Sequence, residues 1–247
     1  MRILTVEKVS KAFGGLMAIH NLDFYVEEGE IVGIIGPNGS GKTTAINLIT
    51  GFLKPDKGKI TFRGEDITGL ARYRVCQKGI ARTFQLCKPF LDFTALQNVV
   101  VGRMYGQEPC KNKQTAAIES REILDQVGLS SKAEITVRDL TVMERKRLEL
   151  ARALATRPTL LLLDELMAGL NMVEADEACK LITRIRDSNI AIIMVEHIVK
   201  AVTCVSNRII VLNMGEKIAE GLPEEIVHHP KVIEVYLGKP HAQYREN

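Results

Sequence analysis

The feature that most constrains this chain is the octapeptide Gly36-Pro37-Asn38-Gly39-Ser40-Gly41-Lys42-Thr43. It fits the spacing G-x-x-x-x-G-K-[ST], and its flanks fit as well. The β-branched run Ile31–Ile35 leads into it as a buried strand, and Lys42–Thr50 follows as a helix that stops at Gly51. Glycines let backbone N–H groups curl around phosphate oxygens where a Cβ would clash. The helix that follows points its positive end at the same anion. Gly36, Asn38, Gly39, Ser40, Gly41 and Thr44 form the expected cradle. Lys42 brings a point charge for the β- and γ-phosphates, and Thr43 a hydroxyl for Mg²⁺.

A second motif is Leu160-Leu161-Leu162-Leu163-Asp164-Glu165. An apolar strand ending in two carboxylates sets acid at the carboxyl edge of a sheet, where open α/β folds bind ligands. Asp164 suits the orientation of Mg²⁺ and its waters, and Glu165 suits the general base that polarises an attacking water. Taken by itself, the pair would also fit a solvated strand end. Beside the phosphate loop it marks a P-loop nucleoside triphosphatase.

The remaining chain reads as strands alternating with helices. Val173–Ser188 has helical apolar spacing, Ile190–Val195 is a third buried strand, and a helix starts near Ile198. Arg208–Asn213 and Glu216–Glu220 read as a hairpin turning at Met214-Gly215. The fold class expected is α/β: a P-loop core with a mainly parallel sheet. Short strands at Leu4–Val9, Asp23–Val26 and Lys59–Phe62 predict an antiparallel β-layer. Residues 94–155 show no convincing strand, and Thr94–Val101, Ala116–Val127 and Met143–Ala155 read as helices. They are taken as a helical subdomain inside one domain spanning 1–247.

Composition narrows the function classes. The 46% hydrophobic and 26% charged residues are those of an ordinary globular protein. With no Trp, 5% aromatics and a net charge of +3, neither base stacking nor electrostatic attraction favours nucleic acid. The basic cluster Arg72, Arg74, Lys78 and Arg82 reads as a solvated helix face. Cys76, Cys87, Cys110, Cys179 and Cys204 contain no C-x-x-C pair and read as reduced thiols in a cytoplasmic protein. The start MRILTVEKV does not read as a signal peptide, and no apolar run approaches a membrane span.

Across nearly its whole length the chain resembles the nucleotide-binding subunits of ABC transporters. The resemblance implies ATP and Mg²⁺ as ligands and further roles for named residues. Phe13, in Lys11-Ala12-Phe13-Gly14, stands where the family stacks an aromatic on adenine, although its residue type alone fits a core position. Gln85 in Ala81-Arg82-Thr83-Phe84-Gln85 looks like the glutamine that senses Mg²⁺ and the membrane partner. His197 matches the switch histidine that contacts the γ-phosphate. Ala168-Gly169-Leu170-Asn171 resembles the loop that crosses to a second ATPase subunit.

One motif departs from the family. Its signature LSGGQ stands here as Leu140-Thr141-Val142-Met143-Glu144. Thr141 keeps a hydroxyl for phosphate, but Val142 and Met143 put side chains where close backbone approach is expected. A smaller departure is Leu166, where the family usually has Pro. The segments Ala81–Gln85, Ala168–Asn171, Val195–Ile198 and Val232–Gly238 resemble the ATPases of branched-chain amino-acid importers; the tail also fits a lipopolysaccharide exporter ATPase. The implied partners are transmembrane permease subunits and a different second ATPase subunit, at the cytoplasmic face of the inner or plasma membrane, with no nucleic acid. The rival from another class is a soluble regulatory ATPase of this type that moves no solute.

Overall fold

A computed structural model describes residues 1–84, 88–196 and 199–237. The elements, in chain order, begin with strands β1 (Arg2–Phe13), β2 (Leu16–Glu27) and β3 (Ile31–Ile35), helix α1 (Lys42–Ile49), and strands β4 (Lys57–Phe62) and β5 (Glu65–Asp66). Helix α2 (Arg72–Gln77), strand β6 (Ile80–Arg82) and helices α3 (Ala95–Tyr105), α4 (Lys113–Gln126) and α5 (Val142–Ala155) follow. The chain continues through β7 (Leu160–Asp164), α6 (Met172–Asp187), β8 (Ala191–Val195), α7 (Val199–Thr203), β9 (Arg208–Asn213), β10 (Glu216–Gly221), α8 (Pro223–Val227) and α9 (Pro230–Leu237).

Two sheets result. A six-stranded sheet runs β10-β9-β3-β8-β7-β6, parallel throughout except for the β9–β10 hairpin. An antiparallel sheet runs β2-β1-β4-β5. The central strands are wholly apolar because both their faces are covered. On β3, Val32 and Ile34 pack with the antiparallel sheet and α1, whereas Ile31 and Ile35 face the cluster built from α3–α6. Leu160 and Leu162 on β7 divide from Leu161 and Leu163 in the same way. The mainly parallel sheet with an antiparallel layer is as expected. Between β6 and β7 the described residues hold α3, α4 and α5 and no strand of either sheet.

Several expectations are corrected. β1 and β2 are 12 residues each, longer than the segments read from the sequence, because register shifts interrupt their alternation. β5 and β6 are too short to show a period. The basic cluster is not one helix face: α2 ends at Gln77, Gly79 turns the chain with φ +103°, and Arg82 lies buried on β6. The thiols are not all separate either. Cys179 of α6 and Cys204, just past α7, stand side by side with their Cα atoms 7.1 Å apart, at the outer limit of disulfide reach, while Cys76 and Cys110 lie apart from them. Both helices pack on one core cluster, a proximity that a search for local C-x-x-C spacing cannot detect. Cys87 lies outside the described residues.

Candidate functional site

The phosphate loop leaves β3 at Ile35 and ends at Gly41, the N-cap of α1, with φ +104° and no side-chain cap. The first turn of α1 holds no acidic residue, so its positive end is not neutralised from within. Close packing explains two of the glycines. A Cβ at Gly36 would fall 2.2 Å from Leu212 O, and one at Gly41 would fall 2.7 Å from Ala18 O. The loop is therefore wedged between the β9–β10 hairpin and β2. Gly215 N–H donates to Ser40 O at 3.0 Å, and His20 N–H donates to Gly215 O at 2.8 Å.

Lys42 Nζ folds back over the loop, donating to Gly36 O at 2.8 Å and Pro37 O at 3.0 Å. Burial lowers its pKa, opposed by the charges of Glu165 and Asp164. The structure thus brings Lys42, Asp164 and Glu165 within electrostatic reach at the carboxyl edge of β3 and β7. Thr43 is exposed and Thr44 half-buried on the first turn of α1. Ser40 Oγ is buried and has no hydrogen-bond partner among the described residues. An unsatisfied hydroxyl, an uncapped helix end and a lysine are donors for an anion. The Thr43 hydroxyl and Asp164 carboxylate are oxygen ligands, the kind a hard divalent cation takes.

Asp164 ends β7, and its Oδ2 accepts from Arg82 Nη2 at 2.9 Å. Burial raises the Asp164 pKa; Arg82 opposes that shift and Glu165 adds to it. Glu165 takes φ +50°, a left-handed backbone for a residue with a side chain, and its N–H donates to Val195 O at 2.9 Å. Phe13 ends β1, 46% exposed, with Lys11 Nζ 5.7 Å from its ring centre. Exposure rules out the core reading of Phe13. Its hairpin continues into the Ala18–Ile19 segment that packs on Gly41. Gln85 and His197 lie outside the described residues.

Thr141 is the N-cap of α5. Its Oγ1 accepts from Glu144 N–H at 3.2 Å, and Glu144 Oε2 accepts from Thr141 N–H at 2.8 Å. In that pairing the hydroxyl oxygen only accepts, which leaves its O–H to donate elsewhere, and Val142 stands 73% exposed on the first turn.

Three polar residues escaped the sequence reading. Arg82 lies on β6 and not on a solvated face, and the short apolar pair Ile80-Ala81 after Gly79 is the only local strand signal. Glu196 is fully buried, with Oε1 accepting Met167 N–H at 2.7 Å. Its pKa rises to about 7, chiefly through burial. Lys146 of α5 donates to Leu166 O at 3.2 Å and also to Ala168 O. Nothing local in the sequence marks the last two as contacts of the loop after Glu165.

Comparisons with known proteins agree with this geometry. The sequence profile described as ABC transporter matches residues 19–168. A second, described as branched-chain amino acid ATP-binding cassette transporter, matches residues 216–242. The chain is 37% identical to the high-affinity branched-chain amino acid transport ATP-binding protein BraF of Pseudomonas aeruginosa, covering 96% of this chain and 98% of that one. It is 36% identical to LivG of Escherichia coli K12, with the same coverage. Among solved structures it is similar to a nucleotide-free ATP-binding cassette from an ABC transporter, with TM-score 0.87, 31% identity, and 97% of this chain and 100% of that one covered. The ADP conformation of MJ1267, an ATP-binding cassette of an ABC transporter, gives TM-score 0.87 at 32% identity and the same coverage. The chain belongs to the ABC transporter family, as one of its ATP-binding cassettes.

Proposed function

We propose that this chain binds Mg·ATP and hydrolyses it to drive a membrane importer of branched-chain or related amino acids. The observation that carries the reading is the convergence of Lys42, Asp164 and Glu165 on the uncapped end of α1. Names of the relatives over nearly the full chain supply the cargo class. The tail, which by residues alone also suits an exporter, falls within the branched-chain profile.

In this reading the loop N–H groups, Ser40 and Lys42 hold the phosphates, with Gly36, Asn38, Gly39, Gly41 and Thr44 shaping the cradle. Phe13 lies against the base. Thr43, Asp164 and Gln85 would hold Mg²⁺, which when bound neutralises charge on the phosphate oxygens. Glu165 takes a proton from the attacking water, and the role assigned to His197 by family resemblance is contact with the γ-phosphate. Thr141 serves the site of a second, different ATPase subunit. Residues 94–155 act as a helical subdomain that transmits motion to the permeases. A cavity of about 340 Å³ between β6, α2 and α5 is the proposed docking place for a permease segment. Its walls include Phe52, Arg72, Tyr73, Phe84 and Tyr105, and aromatic and Arg side chains are enriched at such interfaces. Among the described residues no helix is long and apolar enough to cross a membrane, so membrane contact at the cytoplasmic face runs through those partners.

The deciding experiment is Glu165→Gln. The amide keeps the shape and loses the base, so Mg·ATP should still bind while hydrolysis slows by about 10²–10⁴-fold. Turnover within a few-fold of wild type would remove Glu165 from that role.

A further inference from the structure

The loop 165–170 joins β7 to α6, and two titratable side chains hold it, one following β8 and one on α5. Glu196, directly after β8, accepts Met167 N–H on Oε1 at 2.7 Å. Its Oε2 has no hydrogen-bond partner among the described residues. From α5, Lys146 Nζ donates to Leu166 O at 3.2 Å and also to Ala168 O. A carboxyl oxygen therefore holds the central N–H, and an ammonium holds the carbonyls on either side. The Lys146 bonds have an ionised donor, which makes them the stronger kind.

The loop needs holding because of what begins it. Glu165 has φ +50°, and such a backbone in a residue with a side chain persists only where its surroundings over-determine it. Within the loop, Ala168 N–H reaches Glu165 O only at 3.3 Å. A buried carboxylate is itself expensive; at position 196 an apolar residue would fill the space but offer Met167 no acceptor. Lys146 also sits on the helix that Thr141 caps, so one chain links its own base to the motif that faces the partner.

We infer that Glu196 and Lys146 are paired positioning residues for hydrolysis, fixing the 165–170 loop so that Glu165 keeps its orientation. This rests on the proposed role of Glu165. The test uses the full chain paired with its second ATPase subunit, where hydrolysis is measurable, and measures kcat, KM, ATP affinity by calorimetry, and melting temperature. Glu196→Ala and Lys146→Met should each lower kcat by on the order of 10²-fold, the scale of a small misplacement, with ATP affinity nearly unchanged. Glu196→Gln, which keeps an acceptor oxygen, and Lys146→Arg should recover most of the loss. The double variant Glu196→Ala with Lys146→Met should lose far less than the product of the singles, because both act on one loop.

Wild-type kcat in Glu196→Ala would overturn the inference. So would parallel losses of kcat and ATP affinity without rescue by Gln, since that pattern marks general structural damage. Should Glu196→Ala fail to fold, the Gln, Met and Arg variants decide by the same criteria. Glu165→Gln in the same assay separates the two readings. If it slows turnover while Glu196→Ala does not, only the positioning role fails; if it does not, the hydrolytic reading itself fails.

Discussion

Arg82 Nη2 lies 2.9 Å from Asp164 Oδ2, and the two side chains are only 7% and 4% exposed. The guanidinium also donates to Asn47 Oδ1 of α1 at 2.6 Å and stacks on Phe84 with its carbon 4.5 Å from the ring centre. One residue thus touches the carboxylate proposed for Mg²⁺, the helix that follows the phosphate loop, and the wall of the cavity beside α2. Removing one partner of a buried pair strands the other charge. Arg82→Met should therefore cost about 3–5 kcal/mol of stability at neutral pH. Urea unfolding gives the number, and Arg82→Met with Asp164→Asn should regain much of it. A loss below about 1 kcal/mol, the range of exposed pairs, would mean that Asp164 is solvated or otherwise paired.

Glu196 gives the chain a pH-dependent stability. Burial is the main cause of its rise to about 7, with Glu165 and Asp164 adding to it and Met167 N–H and Lys146 opposing it. Between the ordinary glutamate value of 4.5 and about 7, the folded chain keeps a proton that the unfolded chain has released. Stability from this group is therefore full below the lower value and is lost as pH rises through the upper one, by roughly 3 kcal/mol in all. Glu196→Gln carries no such proton. Urea midpoints from pH 5 to 8 should show the variant gaining on wild type as pH rises, and parallel curves would refute the buried titration.

Lys42 now spends its hydrogen bonds on Gly36 O and Pro37 O. A nucleotide would offer it phosphate oxygens instead, and those charge-assisted contacts are the strong ones. Lys42→Ala should weaken ATP binding by at least about 10²-fold, on the scale of one or two such bonds. Isothermal titration of a folded variant is the measurement. Near-normal affinity would sink the phosphate-loop assignment.

What the sequence revealed and what it hid divide along a physical line. Continuous apolar runs such as Ile31–Ile35 and Leu160–Leu163 announce strands covered on both faces, and the carboxylates that end one of them announce a sheet edge. The glycine spacing of 36–43 announces its own backbone shape. Arg82, Glu196 and Lys146 announce nothing, because their partners lie 82, 29 and 20–22 residues away and the contacts exist only after packing. The Cys179–Cys204 pair was hidden for the same reason. Short elements such as β6 offer too few residues for a period to appear.

The departure at the signature remains the most consequential feature of the chain for its partnership. In the proposed closed dimer, the start of α5 presents N–H groups and a hydroxyl to the other subunit's γ-phosphate. Here Thr141 keeps an O–H to donate, but Val142 stands 73% exposed at the helix start, with a side chain where close backbone approach is needed. Two copies of this chain would each meet a poor opposite face, so both sites would be weak. A different subunit with glycines at those positions would complete one good site, built on Lys42, Asp164 and Glu165. The isolated chain should therefore be mostly monomeric and a slow ATPase, and its natural partner should raise turnover. Val142→Gly with Met143→Gly should speed the homodimer more than the mixed pair. The substitution carries a helix penalty of up to about 1 kcal/mol per glycine, so a lower melting temperature alongside faster hydrolysis is the expected combination. The rate against protein concentration for the chain alone, the mixture and the double variant decides. Fast, saturating hydrolysis by the unmodified chain alone would show the glycines dispensable, and the argument for a different partner would fall with them.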